Sequence, residues 1–340
     1  MYKKIIYVLW DITHKCSLKC KHCRAAAPKR MCELTSKETM NVLDQLIKKK
    51  IQVLSVSGGD PILRADLVDL VRHAVEGGIR VRIQTNGQLI TDKILDQLWN
   101  AGCREIGVGL DSCSAKYHDW LRNKKGVFKK TILAIKKIKA KGFKVHIEFT
   151  LNPMNRDELH KVLVLCESLH IDTFFSRAVI PVGRGTDKQL LLSKKTYRSL
   201  MNNLSKEKYL NKGIKIASED PLWILADKTL FNKVSLENPC LCNGEFLSGC
   251  LAGINMFYIS PAGKVYPCSF IKIELGDLRK QKLSEILIHA DKKIPFTDRN
   301  KLKGKCGDCD IKYLCGGCRA RAYYKHSDYC GEDPYCWKHK

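Results

Sequence analysis

Three cysteines, Cys16, Cys20 and Cys23, stand in the order C-x3-C-x2-C directly behind a short apolar segment, and no other feature restricts the chain so much. Three thiolates at that spacing can hold three irons of a cubane cluster and leave the fourth iron without a protein ligand. Iron–sulfur clusters are usually held by four cysteines, so a triplet that lacks its fourth leaves an iron open to chelate a small molecule. The other reading of the same spacing is a zinc knuckle completed by His14 or His22.

Seventeen cysteines among 340 residues mean either a secreted, disulfide-bonded protein or a reduced, metal-rich one. Residues 1–10 carry two lysines and only a brief apolar run before Asp11, too short for a signal-peptide core or a membrane span. A cytoplasmic protein with no membrane partner is therefore expected. Sixty Lys and Arg against 35 Asp and Glu leave a net charge of +25. That balance suits an acidic partner such as a nucleic acid, a membrane surface or a polycarboxylate substrate. It also describes a solvated basic face, because much of the lysine is scattered over helices, as at Lys136 and Lys137.

Strand and helix patterns alternate about six times over the first 190 residues. Strands are expected at 5–9, 51–57, 79–84, 105–110, 143–151 and 173–180. Helices are expected at 36–50 (capped by Ser36), 65–76, 91–100, 127–140 and 157–169. Such alternation argues for parallel strands joined by right-handed crossovers, with function at the C-terminal strand ends. The motifs obey that rule: the cysteine loop, Ser57–Gly58–Gly59–Asp60–Pro61, Thr85–Asn86–Gly87 and Asp111 all follow strands. Residues 191–239 read as a mostly helical bridge. From 240 to 340 the chain is small-featured and holds ten of the seventeen cysteines.

The triplet, followed by the Gly-Gly-Asp-Pro turn, resembles the signature of the radical S-adenosylmethionine (SAM) superfamily. The resemblance implies a partial (β/α)6 barrel of TIM type, with SAM bound on the open iron of a [4Fe–4S] cluster held by Cys16, Cys20 and Cys23. It implies that Gly58, Gly59 and Asp60 receive the SAM amino group, with Asp60 where relatives carry Glu. It places His22 beside the adenine, where relatives carry an aromatic residue. The segment from Gly109–Leu110–Asp111 to His118–Asp119–x–x–Arg122 resembles another part of that family. Arg122 is expected to clamp the SAM carboxylate, while Gly109 stands where a SAM-contacting Ser is usual.

Cys306, Cys309, Cys315 and Cys336, spaced C-x2-C-x5-C-x20-C, resemble one auxiliary [4Fe–4S] site of the SPASM extension of these enzymes. Cys250, Cys268 and Cys318 resemble the other, with Cys242 or Cys240 as its fourth ligand. A structural zinc domain is the alternative. Zinc ribbons separate their cysteine pairs by about 15–20 residues, so the five-residue gap fits poorly. Cys330 stays without a firm role. Cys32, Cys103, Cys113 and Cys166 read as small apolar residues.

Cys23–Arg24–Ala25, Gly249–Cys250–Leu251–Ala252–Gly253 and Cys315–Gly316–Gly317–Cys318–Arg319–Ala320–Arg321 are similar to segments of the haem d1 and alternative haem-biosynthesis enzymes, with the pyrroloquinoline-quinone maturase close by. That likeness implies removal of carboxylate side chains from an acidic tetrapyrrole, with Arg177, Arg184, Arg319 and Arg321 as carboxylate partners and no nucleic acid. An external donor such as flavodoxin or ferredoxin would supply electrons. Two alternatives stand beside it: crosslinking or epimerisation of a peptide substrate, and a non-catalytic iron–sulfur carrier. Only 15 residues precede Cys16, so no fused peptide-recognition domain is expected. The catalytic acid or base is unknown from the sequence.

Overall fold

The computed structural model describes residues 7–25, 32–210, 213–232, 241–242, 245–246 and 249–338. Seven strands run parallel and in chain order: β1 (Tyr7–Thr13), β2 (Val53–Gly58), β3 (Arg80–Thr85), β4 (Glu105–Gly109), β5 (Lys144–Leu151), β6 (Thr173–Ala178) and β7 (Lys215–Ser218). They alternate with helices α1 (Ser36–Lys48), α2 (Leu67–Glu76), α3 (Asp92–Asn100), α4 (Ala115–Arg122), α5 (Val127–Ala140), α6 (Leu159–Ser168) and α7 (Lys194–Leu210). The strands alternate their faces. In β1, Val8, Trp10 and Ile12 enter the core, whereas Tyr7 and Leu9 line a cavity on the other side. Val42, Leu43 and Leu46 of α1 are buried, and Leu67, Leu70, Val71 and Ala74 of α2 likewise. Both faces of most strands are covered, as parallel sheets require.

Several boundaries differ from the sequence reading for identifiable reasons. Helix α1 is capped by Thr35, not Ser36: the Thr35 side chain accepts from the Glu38 amide while the Glu38 side chain accepts from the Thr35 amide. It stops at Lys48, and Lys50 turns left-handed at φ 54°. Strand β1 runs on through Asp11, a charge that pairs with Arg24 and so enters the interior. The segment carrying His118 and Arg122 is itself helical (α4), capped by the Ser114 side chain on the Tyr117 amide. The stretch read as a helical bridge contributes α7 but also β7, which pairs parallel with β6.

The cysteine-rich region does not stand apart from the sheet. Near its start, β8 (Leu241–Cys242) pairs antiparallel with β9 (Glu245–Phe246). Strand β10 (Met256–Ile259) then pairs parallel with β1, in the register Val8↔Phe257 and Trp10↔Ile259. Strands β11 (Lys264–Tyr266) and β12 (Gly276–Asp277) continue antiparallel. The result is one ten-stranded sheet, β12-β11-β10-β1-β2-β3-β4-β5-β6-β7.

A buried ion triad fastens the other edge. Arg321, on the helix Arg319–His326, donates from Nε and Nη2 to Asp333 at 3.0 and 2.7 Å and from Nη2 to Asp220 at 2.8 Å. Asp220 follows β7. Tyr197 of α7 and Tyr335 flank the guanidinium, with ring centroids 5.3 and 4.9 Å away. Removing one partner of a buried ion pair leaves uncompensated charge and costs about 3–5 kcal/mol. Arg321→Met, which strands two buried carboxylates, is expected to destabilise the protein by about that amount, read as a lowered midpoint in anaerobic denaturant unfolding.

Candidate active site

Cys16, Cys20 and Cys23 line a cavity of about 450 Å3 at the C-terminal ends of the parallel strands. Backbone contacts shape the loop that carries them: the Lys21 amide donates to the Leu121 carbonyl at 2.8 Å and the Arg184 amide to the Cys23 carbonyl at 2.9 Å. The Arg184 side chain donates through Nε to the Cys20 carbonyl at 2.8 Å. Donors also approach two of the sulfurs. Cys16 Sγ accepts from the Leu18 amide at 3.4 Å and from Asn86 Nδ2 at 3.6 Å, and Arg122 Nη1 lies 4.0 Å from Cys20 Sγ. Burial pushes the Cys16 and Cys20 thiols up, so thiolates here need a cationic centre beside them. Three sulfurs on one open cavity, two of them met by N–H donors, fit an iron–sulfur core.

The glycine turn does something the sequence did not announce. A Cβ on Gly58 would lie 2.3 Å from the Thr13 carbonyl oxygen, and one on Gly59 would lie 2.1 Å from that of Lys15. The two glycines therefore let β2 close against the cysteine loop, sealed by Gly59 N–H to Thr13 O and Asp60 N–H to Lys15 O, both 2.8 Å. Gly58 and Gly59 line the cavity. The Asp60 carboxylate, expected to face the ligand, is instead buried beneath the turn. It accepts from Thr85 Oγ1 at 2.9 Å and from the Ile62 amide at 3.3 Å, because it caps the short 3-10 turn Pro61–Leu63. Its Oδ2 has no partner among the described residues.

Arg122 reaches the cavity from the last turn of α4 and pairs with the fully buried Asp111 at 2.6 Å. Burial pushes Asp111 up, but Arg122 foremost, with His22, His118 and the Thr150 amide, together outweighs it and leaves it at about 2. The glycine at 109 has a steric reason: a Cβ there would lie 2.3 Å from Arg122 Nη2. His22 lines the same cavity. Burial holds His22 and His118 down near 4, so both are neutral at neutral pH. His118 Nδ1 accepts from the Asp111 amide at 3.3 Å.

The cavity is also lined by groups that belong to none of the sequence motifs: Tyr7, Ser55, Gln84, Glu148 and Glu219, with Phe270 from the cysteine-rich region. Gln84 Nε2 meets His146 Nε2 at 2.9 Å. Arg177 pairs with Glu219 and lies 5.1 Å from the Phe270 ring centroid. Burial raises the Glu148 carboxyl, against the pull of Arg177. The signal in the sequence was a polar residue on the face opposite the core in an otherwise apolar strand, as at Ser55, Gln84 and Glu148.

The remaining cysteines lie in several places. Cys306, Cys309, Cys315 and Cys336 line one small cavity. Cys250, Cys268 and Cys318 line another, of about 110 Å3, which shares Tyr7, Leu9, Arg177, Ile180, Glu219 and Phe270 with the large cavity. The Cys242 backbone lies in β8, while its side chain and Cys240 fall outside the described residues. Cys330 is buried and lines neither cavity. Cys103 and Cys166 are core residues, each pushed up to about 12 by burial. Cys113 sits beside Glu158, and Cys32 is exposed. Arg177 and Arg184 face the large cavity. Arg319 and Arg321 do not serve as expected, because both side chains are buried and bonded within the protein.

Burial raises Asp60 from its ordinary value to about 6. The folded protein therefore holds a proton there that the unfolded chain has released, and stability falls as pH rises through this window. Asp60→Asn cannot ionise. Relative to the parent it is expected to gain stability between pH 5 and pH 7.5, by about 1.4 kcal/mol; equal pH slopes in paired anaerobic unfolding curves would contradict this.

Comparison with known families agrees with this geometry. The Radical SAM superfamily matches residues 10–166 and the SPASM iron–sulfur cluster-binding domain matches residues 250–310. The chain is 31% identical to an AdoMet-dependent heme synthase of Methanosarcina barkeri, over 97% of this chain and 95% of that one. It is 26% identical to a pre-heme d1 synthase of Dinoroseobacter shibae (97% and 87%) and 25% identical to a mycofactocin maturase of Mycolicibacterium smegmatis (97% and 82%). The fold matches the SAM-bound crystal structure of Streptococcus suis SuiB with a TM-score of 0.79, at 18% identity, over 99% of this chain and 78% of that one. The chain belongs to the radical SAM superfamily, as an enzyme with a SPASM domain whose cofactors are SAM and [4Fe–4S] clusters.

Proposed function

We propose that this enzyme removes carboxylate-bearing side chains from an iron tetrapyrrole on the way to haem or haem d1. The observation that carries the reading is the likeness to an AdoMet-dependent heme synthase along nearly the full length of both chains. The segments Cys23–Arg24–Ala25 and Cys315–Gly316–Gly317–Cys318–Arg319–Ala320 support it. So does the net charge of +25, which favours a polycarboxylate.

When bound, the N-terminal cluster and SAM supply a 5′-deoxyadenosyl radical that takes hydrogen from substrate. The protein supplies placement and exclusion of water. In this reading Cys16, Cys20 and Cys23 hold the cluster, while Gly58, Gly59, His22 and Arg122 cradle SAM. The apolar wall of Leu9, Phe149, Ile180 and Phe270 takes the macrocycle, and Arg184 and Arg177 meet its carboxylates. Cys306, Cys309, Cys315 and Cys336 hold one auxiliary cluster. Cys250, Cys268 and Cys318, with Cys242 or Cys240, would hold the other beside Arg177 and Phe270, where it would supply a one-electron acceptor. The enzyme works in the cytoplasm with an external donor such as flavodoxin or ferredoxin.

Reduced enzyme with SAM is expected to convert iron coproporphyrin, or a siroheme-derived intermediate, to products lighter by their carboxylate fragments, seen by mass spectrometry. Unchanged tetrapyrroles together with hydrogen loss or exchange in a short peptide would replace this reading with that of a peptide maturase. The Cys16→Ala, Cys20→Ala, Cys23→Ala triple variant is expected to form no 5′-deoxyadenosine while keeping iron in its C-terminal sites; undiminished 5′-deoxyadenosine would refute the cluster assignment.

A further inference from the structure

Two arginines lie between the auxiliary cysteine sets without a carboxylate partner among the described residues. Arg319 is fully buried and Arg299 is 5% exposed. Arg319 donates to the carbonyls of Gly317, Tyr329 and Gly331 at 3.3, 3.1 and 2.7 Å, and through Nη2 to Cys306 Sγ at 3.4 Å. Arg299 donates to the carbonyls of Phe296 and Cys250 at 3.2 and 2.6 Å, and its Nε has no partner among the described residues. A buried guanidinium satisfied by carbonyls alone is an expensive arrangement. The neighbouring Arg321 shows the usual solution, with Asp220 and Asp333 both on its guanidinium.

The chain makes room for this pair. Gly316 and Gly317, between Cys315 and Cys318, both adopt positive φ, 65° and 56°. A Cβ on Gly316 would lie 2.4 Å from Arg299 Cζ, and one on Gly317 would lie 2.6 Å from Arg319 Nη2. The two cysteine sets are also joined directly, by the Cys250 amide donating to the Cys315 carbonyl at 2.8 Å. Arg299 bonds Cys250 of one set and packs on Gly316 beside Cys315 of the other. Arg319 contacts the sulfur of Cys306.

We infer that Arg299 and Arg319 are a shared counter-charge for the two auxiliary clusters, and that they raise the reduction potentials of those clusters. A cubane held by four thiolates is a net anion and becomes more negative on reduction, so a fixed cation nearby favours the reduced state. Net charge and hydrogen bonds to sulfur are among the factors that set such potentials. In a water-poor interior the interaction is only weakly screened. Arg299 touches no sulfur among the described residues, so it acts through charge, as a positioning and tuning residue. The inference needs no substrate and stands apart from the tetrapyrrole reading.

The test is an EPR-monitored redox titration of the anaerobically reconstituted full chain, comparing the parent with Arg299→Lys and Arg299→Gln. Signals that SAM does not perturb report the auxiliary clusters, and iron is counted in each sample. The expected result is parent-like iron and potentials in the lysine variant. The glutamine variant should either shift the auxiliary potentials to more negative values or lose auxiliary iron. Full iron at unchanged potentials in the glutamine variant would overturn the inference. So would a lysine variant as impaired as the glutamine one, since guanidinium shape rather than charge would then be what matters.

Discussion

The bidentate pair between Arg24 and Asp11, at 2.9 and 2.8 Å, ties the cluster loop to the sheet. Asp11 lies on β1, and Arg24 follows Cys23 directly. Tyr258, on β10, donates its hydroxyl to the same Asp11 at 2.9 Å, and its ring lies under the guanidinium with the centroid 5.4 Å away. One carboxylate thus joins three parts of the molecule: the loop of the cysteine triplet, the first barrel strand and the first strand of the cysteine-rich region.

The same logic of buried charge runs through the rest of the molecule. Arg122 is held against Asp111 where it can face a ligand, and the space it needs is secured by Gly109. Arg321 is spent between Asp220 and Asp333, fixing the last helix to the end of β7. Arg177 and Glu219 face each other where the large cavity meets the smaller one lined by Cys250, Cys268 and Cys318, so the wall between them is polar and carries both signs. Where two arginines lack such partners, they lie among cysteines. Carboxylates and thiolates together thus decide where the interior can hold cations.

The continuous sheet has a functional consequence. Because β10 pairs with β1, Phe270 and Cys268 are carried to the barrel's interior cavities, and one cysteine set borders the cavity lined by the triplet. An extension joined only by a linker would leave that distance free. Here hydrogen bonding along β1 sets it.

Much of this was legible in the chain itself. Apolar runs punctuated by glycine located six parallel strands, because burial on both faces selects such runs. Cysteine spacing gathered Cys16, Cys20 and Cys23 into one group of sulfurs, because ligands on one turn of loop cannot be far apart. Other features were not legible. Strand β7 is only four residues long and too brief to show a period. The pairing of β1 with β10 joins residues nearly 250 apart, and no local pattern encodes that contact. The inward turn of Asp60 depends on the Thr85 hydroxyl of a neighbouring strand, and the removal of Arg319 and Arg321 from the surface depends on Asp220, Asp333 and the carbonyls around them. The sequence by itself therefore determined the open-cluster chemistry of the cysteine triplet and the alternation of the first six strands with helices, since both rest on local spacing. Only the tertiary structure decided which charged side chains face a ligand and which are consumed in the interior, because a charge goes where a partner from elsewhere in the chain can compensate it.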